Sequence, residues 1–461
     1  MTDPPTTWQP DYLYADGRFH AGWTLTADAD GRITRVGPAE NDVAAIRLAN
    51  RALLPGLVNA HSHAFQRVLR GRTEARTRAQ DSFWTWREQM YHAAVSLQPA
   101  DVYAASRMAF LEMVLSGVTA VGEFHYLHHT PDGQPYADPN ELALQVIAAA
   151  QDVGLRICLL RVAYARAGYK VAANPRQARF IEADAETYLK HTEMLRSALP
   201  PDAWLGVAPH SVRAVPLGYL REIAAWAEQN KLPAHIHVAE QPAEIAACLD
   251  EYGRGPVALL ADEGLLNERW TGVHGIYVNA REIKALAASG ATVCVCPTTE
   301  RNLGDGIAPV DKYFAAGVNI ALGTDSHAQI DLLEDARELE YHLRLQDCER
   351  AVLAPSDDNA PSALAARLFA CAAANGARSL GFDGGVLAAG RPADFFTVDL
   401  QDPSIAGAAP DTLLANIVIT LNRAAIRDVF SGGLRVVSEG QHEWQTAIKQ
   451  EFSQLQKRLW T

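Results

Sequence analysis

The sequence has no run of about 18 consecutive apolar residues, so no membrane-spanning helix is expected. At Met1-Thr-Asp-Pro-Pro-Thr-Thr-Trp no basic stretch leads into an apolar one, so no secretory leader is expected either. Cysteine is sparse: 6 (Cys158, Cys248, Cys294, Cys296, Cys348 and Cys371) are scattered over 461 residues. A chain of this size needs no disulfide framework, and the scatter fits a reducing cytoplasm. Positive charge is short as well, with 41 Lys and Arg against 54 Asp and Glu, a net −13. Nucleic-acid binding rests on phosphate neutralisation, so that class is set aside. A small anionic substrate stays open, because a few local arginines suffice for it. No low-complexity segment or fixed-period repeat occurs, which excludes solenoids and arrays.

Apolar residues are plentiful, at 48% against 21% charged, which is enough for a large core and excludes a disordered chain. Up to about residue 54 the chain shows short β-like runs: Tyr12-Leu-Tyr, Trp23-Thr-Leu-Thr, Ile33-Thr-Arg-Val and Ala52-Leu-Leu. Ala15-Asp-Gly and Ala29-Asp-Gly between them are hairpin signals. The other end reads alike, with strand-like Asp394-Phe-Phe-Thr-Val, Ile417-Val-Ile-Thr and Leu434-Arg-Val-Val-Ser, and a turn at Gly432-Gly433. Trp444, Ile448, Phe452, Leu455 and Leu459 then mark a closing amphipathic helix.

The middle alternates short apolar runs with longer helix-like stretches. The runs are Leu53–Val58, Val118–Val121, Leu155–Leu160, Trp204–Ala208, Ala234–Val238, Gly272–Ile276, Thr292–Val295 and Val318–Leu322. Strands alternating with helices imply a parallel sheet, and eight such units imply a (β/α)8 barrel. The expected organisation is an α/β barrel over 55–382. A small β-sandwich-like domain, with the closing helix, is expected from 1–54 and 383–461.

Barrel enzymes carry their chemistry just past the C-terminal strand ends. Polar residues gather there: His61 and His63; Glu123, His125 and Tyr126; His210 and Arg213; His237 and Glu240; His274; Asp325, Ser326 and His327. With 15 His in the chain, chance alone supplies roughly half an H-x-H, and His235/His237 is a second one. The first gains weight from its place at a strand mouth, where residues i and i+2 face one way and can share a metal. His61, His63, His237 and Asp325 together suit Zn²⁺ or a similar divalent ion with one position open for water. Glu240, three residues past His237, is placed to move protons at that water. Val207-Ala-Pro-His-Ser-Val-Arg lacks the Lys that bridges paired metals, so a single ion is expected. Cys294-Val-Cys296 reads as buried strand rather than ligand. Trp84, Trp86 and Tyr91 read as packing, and Arg72, Arg76 and Arg78 as a solvated face.

Leu54-Pro-Gly-Leu-Val-Asn-Ala-His-Ser-His, His237-Val-Ala-Glu-Gln, His274 and Gly323-Thr-Asp-Ser-His resemble the amidohydrolase superfamily in its mononuclear deaminase branch. The likeness spans essentially the whole chain, including Gly390-Arg-Pro-Ala-Asp-Phe near its end. Phe83-Trp-Thr-Trp-Arg-Glu-Gln-Met-Tyr, Gly122-Glu-Phe-His-Tyr-Leu-His-His and Cys296-Pro-Thr-Thr-Glu-Arg-Asn-Leu-Gly-Asp-Gly narrow it to members that act on a linear formimino group. The resemblance implies one Zn²⁺ per chain on His61, His63, His237 and Asp325, with Glu240, His274 and Asp325 catalytic. It implies that Gln66, Arg87, Tyr126, His210 and Arg213 grip a small dicarboxylate substrate, and that the protein is a cytoplasmic homodimer. A heteroaromatic substrate would call instead for a flat apolar slot. A non-catalytic scaffold would be expected to lack a ligand or the acid/base Glu, and here every such position is filled.

Overall fold

The computed structural model describes residues 4–40, 43–75, 83–172 and 174–461, without the side chain of Trp84. Its strands form two eight-stranded sheets. The first belongs to the termini: β1 (Thr6–Ala15), β2 (Arg18–Ala21), β3 (Trp23–Ala27), β4 (Ile33–Pro38) and β5 (Ile46–Pro55). The second is β6 (Leu57–Ser62), β7 (Val118–His125), β8 (Arg156–Ala163), β9 (Ala203–Pro209), β10 (Ala234–Val238), β11 (Trp270–His274), β12 (Thr292–Val295) and β13 (Asn319–Leu322). β14 (Phe395–Asp399), β15 (Ile426–Ser431) and β16 (Leu434–Val437) return to the first sheet.

The terminal sheet runs β16-β15-β14-β5-β1-β3-β4, with β2 paired to β1. It is mixed, because β1 and β5 are parallel while β14 joins β5 antiparallel. Asp16-Gly17 and Asp30-Gly31 make the expected hairpin turns, both glycines at positive φ. Trp8, Phe395 and Phe430 form its aromatic centre, with ring centroids 4.3–5.6 Å apart.

The second sheet is parallel throughout and ordered from β6 to β13 in sequence. Strands such as Leu57–Ser62 and Ala234–Val238 are buried at every position, as a sheet covered on both faces requires. The last strand meets the first beyond its own end: Asp325 N–H donates to the His61 carbonyl at 3.1 Å, and His63 N–H donates to the Asp325 carbonyl at 3.0 Å. Gly323 makes that approach feasible, since a Cβ there would stand 2.7 Å from the His61 Cβ.

Two expectations change. The apolar run Leu53–Val58 is two strands: β5 ends at Pro55, and β6 starts at Leu57 in the other sheet. Gly56 between them has no room for a Cβ, which would sit 2.2 Å from the Thr119 hydroxyl. Ile417-Val-Ile-Thr is not a strand but part of the helix Leu413–Thr420. Its β-branched composition favours a strand, but Leu413, Leu414, Ile417 and Val418 are buried at helical spacing against the helices Leu332–Asp347 and Ala363–Ala372. The closing helix forms over Gln445–Trp460 and buries Ile448, Phe452 and Leu455 against the helix Pro99–Leu115. Trp444 is exposed, because it precedes that helix as its N-cap. No helix among the described residues is long and apolar enough to cross a membrane.

The loop after β8 is clipped down over the barrel mouth. Arg161, on β8, is fully buried and grips Glu182 bidentately at 2.5 and 2.8 Å, while its Nε donates to the Asn140 side chain. His191 completes the cluster, 2.5 Å from Glu182. Burial alone would raise the Glu182 carboxyl, but Arg161 outweighs it and holds the group well below the usual carboxylate range. Removing the carboxylate strands a buried guanidinium. Glu182→Ala is therefore expected to cost about 3–5 kcal/mol, read as a lower urea midpoint at unchanged m-value. Because the folded pKa is depressed, this stability is full above the unfolded value of about 4.3 and is lost as pH falls toward the folded one. The stability gap between wild type and Glu182→Gln should accordingly narrow below about pH 4. A gap that narrows as pH rises would contradict the ion pair.

Candidate metal centre and active site

The pleat of β6 turns His61 and His63 to one side and Ser62 to the other. His61 Nε2 and His63 Nε2 stand 3.2 Å apart, and both face Asp325 Oδ1, at 3.4 and 3.2 Å. His237, from β10, brings its ring centroid to 4.9 Å from that of His61. Ligand atoms of these four buried residues all lie within 4.8 Å of one another. Two of the outer nitrogens are committed elsewhere. His63 Nδ1 donates to the Phe124 carbonyl at 2.9 Å and His237 Nδ1 to the His210 carbonyl at 3.1 Å. Each ring therefore carries its proton on Nδ1 and aims an Nε2 lone pair inward.

Electrostatics points the same way. Burial pushes His61 down to about 3 and lowers His63 and His237, so all three imidazoles are held neutral. Burial also opposes the Asp325 charge, but its His61 contact and the neighbouring imidazoles hold it below the usual carboxylate range. Three neutral imidazoles and one carboxylate converge on one buried point, where a cation could be held by all four. The donor set fits a divalent metal.

Ser62 ties the strand end from behind. Its hydroxyl donates to Glu123 Oε2 at 2.5 Å, and Ala64 N–H donates to Glu123 Oε1 at 2.7 Å. His327 lies 3.0 Å from the same hydroxyl. Burial pushes Glu123 up to about 8.

His274 closes β11 at φ 76°, while Ala239 and Asp325 also have positive φ. Such conformations are uncommon outside glycine and cluster at functional sites. His274 Nε2 lies 3.8 Å from both Glu240 Oε1 and Asp325 Oδ2, and Nδ1 faces Glu300 at 3.1 Å. Burial opposes its charge, but Glu240, Glu300 and Asp325 outweigh that and raise it well above an ordinary imidazole. Burial also pushes the Glu240 carboxyl up to about 7, against the pull of His274. The backbone N–H groups of Ala239 and Glu240 are anchored on Glu244.

One cavity is lined by His63, His237, Glu240, His274 and Asp325 together with Gln66, Arg87, Tyr126, His210 and Arg213. Gln66 donates to the Tyr126 hydroxyl at 2.8 Å. Burial disfavours charge on Arg213, but Tyr164, Glu244, Tyr91 and Glu240 hold its guanidinium above its ordinary value. Other residues named from the strand ends lie elsewhere. Glu123 and His327 sit behind the ligands, Ser326 meets Thr299, and His125 lies near Arg161. His235 bonds to the Ser379 carbonyl, outside the cluster.

The pattern reading missed several residues. Trp86 and Tyr91 pack on the core as expected and, in addition, line the cavity. Tyr164 does too, and as the first residue past β8 it was discoverable by the strand-end rule. Phe180 and Glu300 carry no comparable signal. Arg72 is exposed as expected, with its guanidinium 5.4 Å from the Trp460 ring centre; Arg76 and Arg78 lie outside the described residues.

The profile of the amidohydrolase family matches residues 52–436. The chain is 39% identical over 440 residues to formimidoylglutamate deiminase from Pseudomonas aeruginosa, covering 94% of this chain and 96% of that protein. It is 32% identical over 400 residues to 5-methylthioadenosine/S-adenosylhomocysteine deaminase from Halobacterium salinarum, covering 86% and 83%. A crystal structure of an amidohydrolase from Brucella melitensis matches with TM-score 0.91 at 34% identity, covering 99% of this chain and 100% of that one.

Removing one of four converging ligands should weaken the site sharply. His63→Ala and His237→Ala are each expected to retain metal at least about tenfold less well than wild type, measured by elemental analysis after dialysis. Full retention by either variant would take that residue out of the ligand set.

Proposed function

This chain belongs to the amidohydrolase family and is a metal-dependent hydrolase acting on a C–N bond, and we propose that it converts N-formimino-L-glutamate and water to N-formyl-L-glutamate and ammonia. The observation that carries the reading is the shared cavity. Carboxylates and a metal-ligand cluster form one wall, and the guanidiniums of Arg87 and Arg213 reach the same space. Paired cations suit a substrate with two carboxylates, which arginine grips in bidentate fashion. The 39% identity to a protein named formimidoylglutamate deiminase supports the same choice.

Arg213, Arg87, His210, Gln66 and Tyr126 bind the glutamate part and turn the formimino group toward Glu240. A divalent ion on His61, His63, His237 and Asp325, read here as one Zn²⁺ per chain, would bring the pKa of a water at that point toward about 7. Glu240 takes a proton from the attacking water at its carboxylate oxygen, while the water oxygen bonds to the formimino carbon. The His274 Nε2–H donates a hydrogen bond beside that carbon, and Asp325 accepts the second proton. Glu240 and Asp325 then return the two protons to the terminal nitrogen, the C–N bond breaks, and ammonia leaves. A group poised near neutrality suits both halves of that transfer, which is where burial puts Glu240.

The alternative is a mononuclear zinc deaminase or chlorohydrolase acting on a heteroaromatic ring of the guanine, adenosine or s-triazine type. The aromatic walls Phe83, Trp86, Tyr91 and Phe180 and the 32% identity to an adenosine-type deaminase support it. Arg213 and Arg87 on the cavity lining argue against it, because a neutral ring gives two guanidiniums nothing to bind.

The deciding measurement is ammonia release from N-formimino-L-glutamate by the zinc-loaded protein, with the product identified by mass. N-formyl-L-glutamate is the expected product; no release from a one-zinc protein would overturn the assignment and leave the ring substrates to try. Glu240→Gln should keep its metal and lose about 10²–10⁴ in turnover, and survival within tenfold would remove Glu240 from proton transfer. Arg213→Met should raise KM far more for the dicarboxylate than for an analogue lacking the distal carboxylate. An equal rise for both would place Arg213 outside the clamp.

A further inference from the structure

Cys296 was read as plain barrel wall, yet it lies just past β12 at the floor of the site. Its Sγ, a ring nitrogen of His274 and a carboxylate oxygen of Asp325 are all buried and lie within 4.8 Å of one another. We propose that His274, Cys296 and Asp325 form a second, inhibitory metal site, selective for thiolate-binding divalent ions and sharing Asp325 with the His61–His63–His237 cluster. The proposal does not depend on the identity of the substrate.

The orientation of each group carries it. Asp325 divides its two oxygens, with Oδ1 turned to His61 and His63 at 3.4 and 3.2 Å and Oδ2 turned to His274 at 3.8 Å. One carboxylate thus serves two sites, one oxygen each. Metal bonds of about 2.0–2.3 Å place two ligands of one ion roughly 3.3–4 Å apart, and the Oδ2–Nε2 separation falls in that range. His274 Nδ1 is occupied by Glu300 at 3.1 Å, which leaves Nε2 for a metal in the carboxylate–histidine–metal arrangement. Glu240 Oε1, also 3.8 Å from Nε2, lies beside this group without belonging to it.

Binding exchanges two protons for the ion: the Cys296 S–H and His274 Nε2–H bonds break, the S–metal and Nε2–metal bonds form, and both H⁺ pass to solvent. A thiolate ligand favours Zn²⁺ or Cd²⁺ over Mg²⁺ or Ca²⁺. An ion held there takes the His274 Nε2 lone pair and confronts Glu240, so both are lost to proton handling. Cys294 shares the same buried cluster with Cys296, Ala60, Val273 and Ala321, but it is not among the side chains grouped with His274 and Asp325.

The test titrates the one-zinc enzyme with Cd²⁺ and follows bound zinc, bound cadmium, the ultraviolet thiolate-to-metal band and ammonia release together. One cadmium is expected to bind beside a retained zinc, with the band rising as turnover falls. Mg²⁺ should do neither. Cys296→Ala should keep its zinc and turnover, show no band, and require at least about tenfold more Cd²⁺ for the same inhibition. Cys296→Ser, closer in size, gives the same readouts if the alanine variant does not fold, and Cys294→Ala should behave as wild type. Cadmium that merely displaces zinc without a band, or inhibition that is equal in the Cys296 variants, overturns the proposal. Stoichiometry and the band report on the site even if no substrate has been found.

Discussion

Convergence of His61, His63, His237 and Asp325 on one buried point is the constraint around which the barrel is built. The backbone groups of three of these residues also fasten the last strand to the first. Closing the sheet and assembling the ligand set are therefore one event. Without a cation the same arrangement is costly, since three imidazoles and a carboxylate crowd one dry point, with the His61 and His63 Nε2 atoms 3.2 Å apart. With one, the crowding becomes coordination, and the Nδ1 hydrogen bonds to the Phe124 and His210 carbonyls keep the rings from turning away.

The cavity carries charge of both signs. Glu240 and Asp325 line it with carboxylates, and Arg87 and Arg213 line the same space with guanidiniums. A substrate with a basic formimino end and two carboxylates, as proposed, would find partners for both signs there. A neutral ring finds aromatic walls but no use for the charges. Burial lifts Glu240, while carboxylate neighbours keep His274 charged.

How much was legible follows from where the signal resides. Eight apolar runs were readable because buried parallel strands must be apolar throughout, and the site was readable because barrel chemistry lies at strand ends. The first run was misplaced because apolarity does not change at Pro55-Gly56, where the chain passes from one sheet to the other. The strand expected at Ile417 failed because propensity was weighed without the helical spacing of Leu413, Leu414, Ile417 and Val418. Trp86 and Tyr91 were taken as packing because an aromatic residue that packs and one that lines a cavity look alike in sequence. Glu300 was invisible for another reason: its partner His274 lies 26 positions away and meets it only in the fold.

Ser62 shows how tightly ligand geometry is coupled to groups that never enter the cavity. A pleat that points residues 61 and 63 inward must point residue 62 outward. Ser62 is thereby committed to Glu123 and His327, and Glu123 also accepts the Ala64 N–H. Glu123 thus holds the chain on both sides of His63, the second imidazole ligand. Its carboxyl, raised to about 8 by burial, favours the neutral form, so it braces the strand without adding another negative charge beneath Asp325.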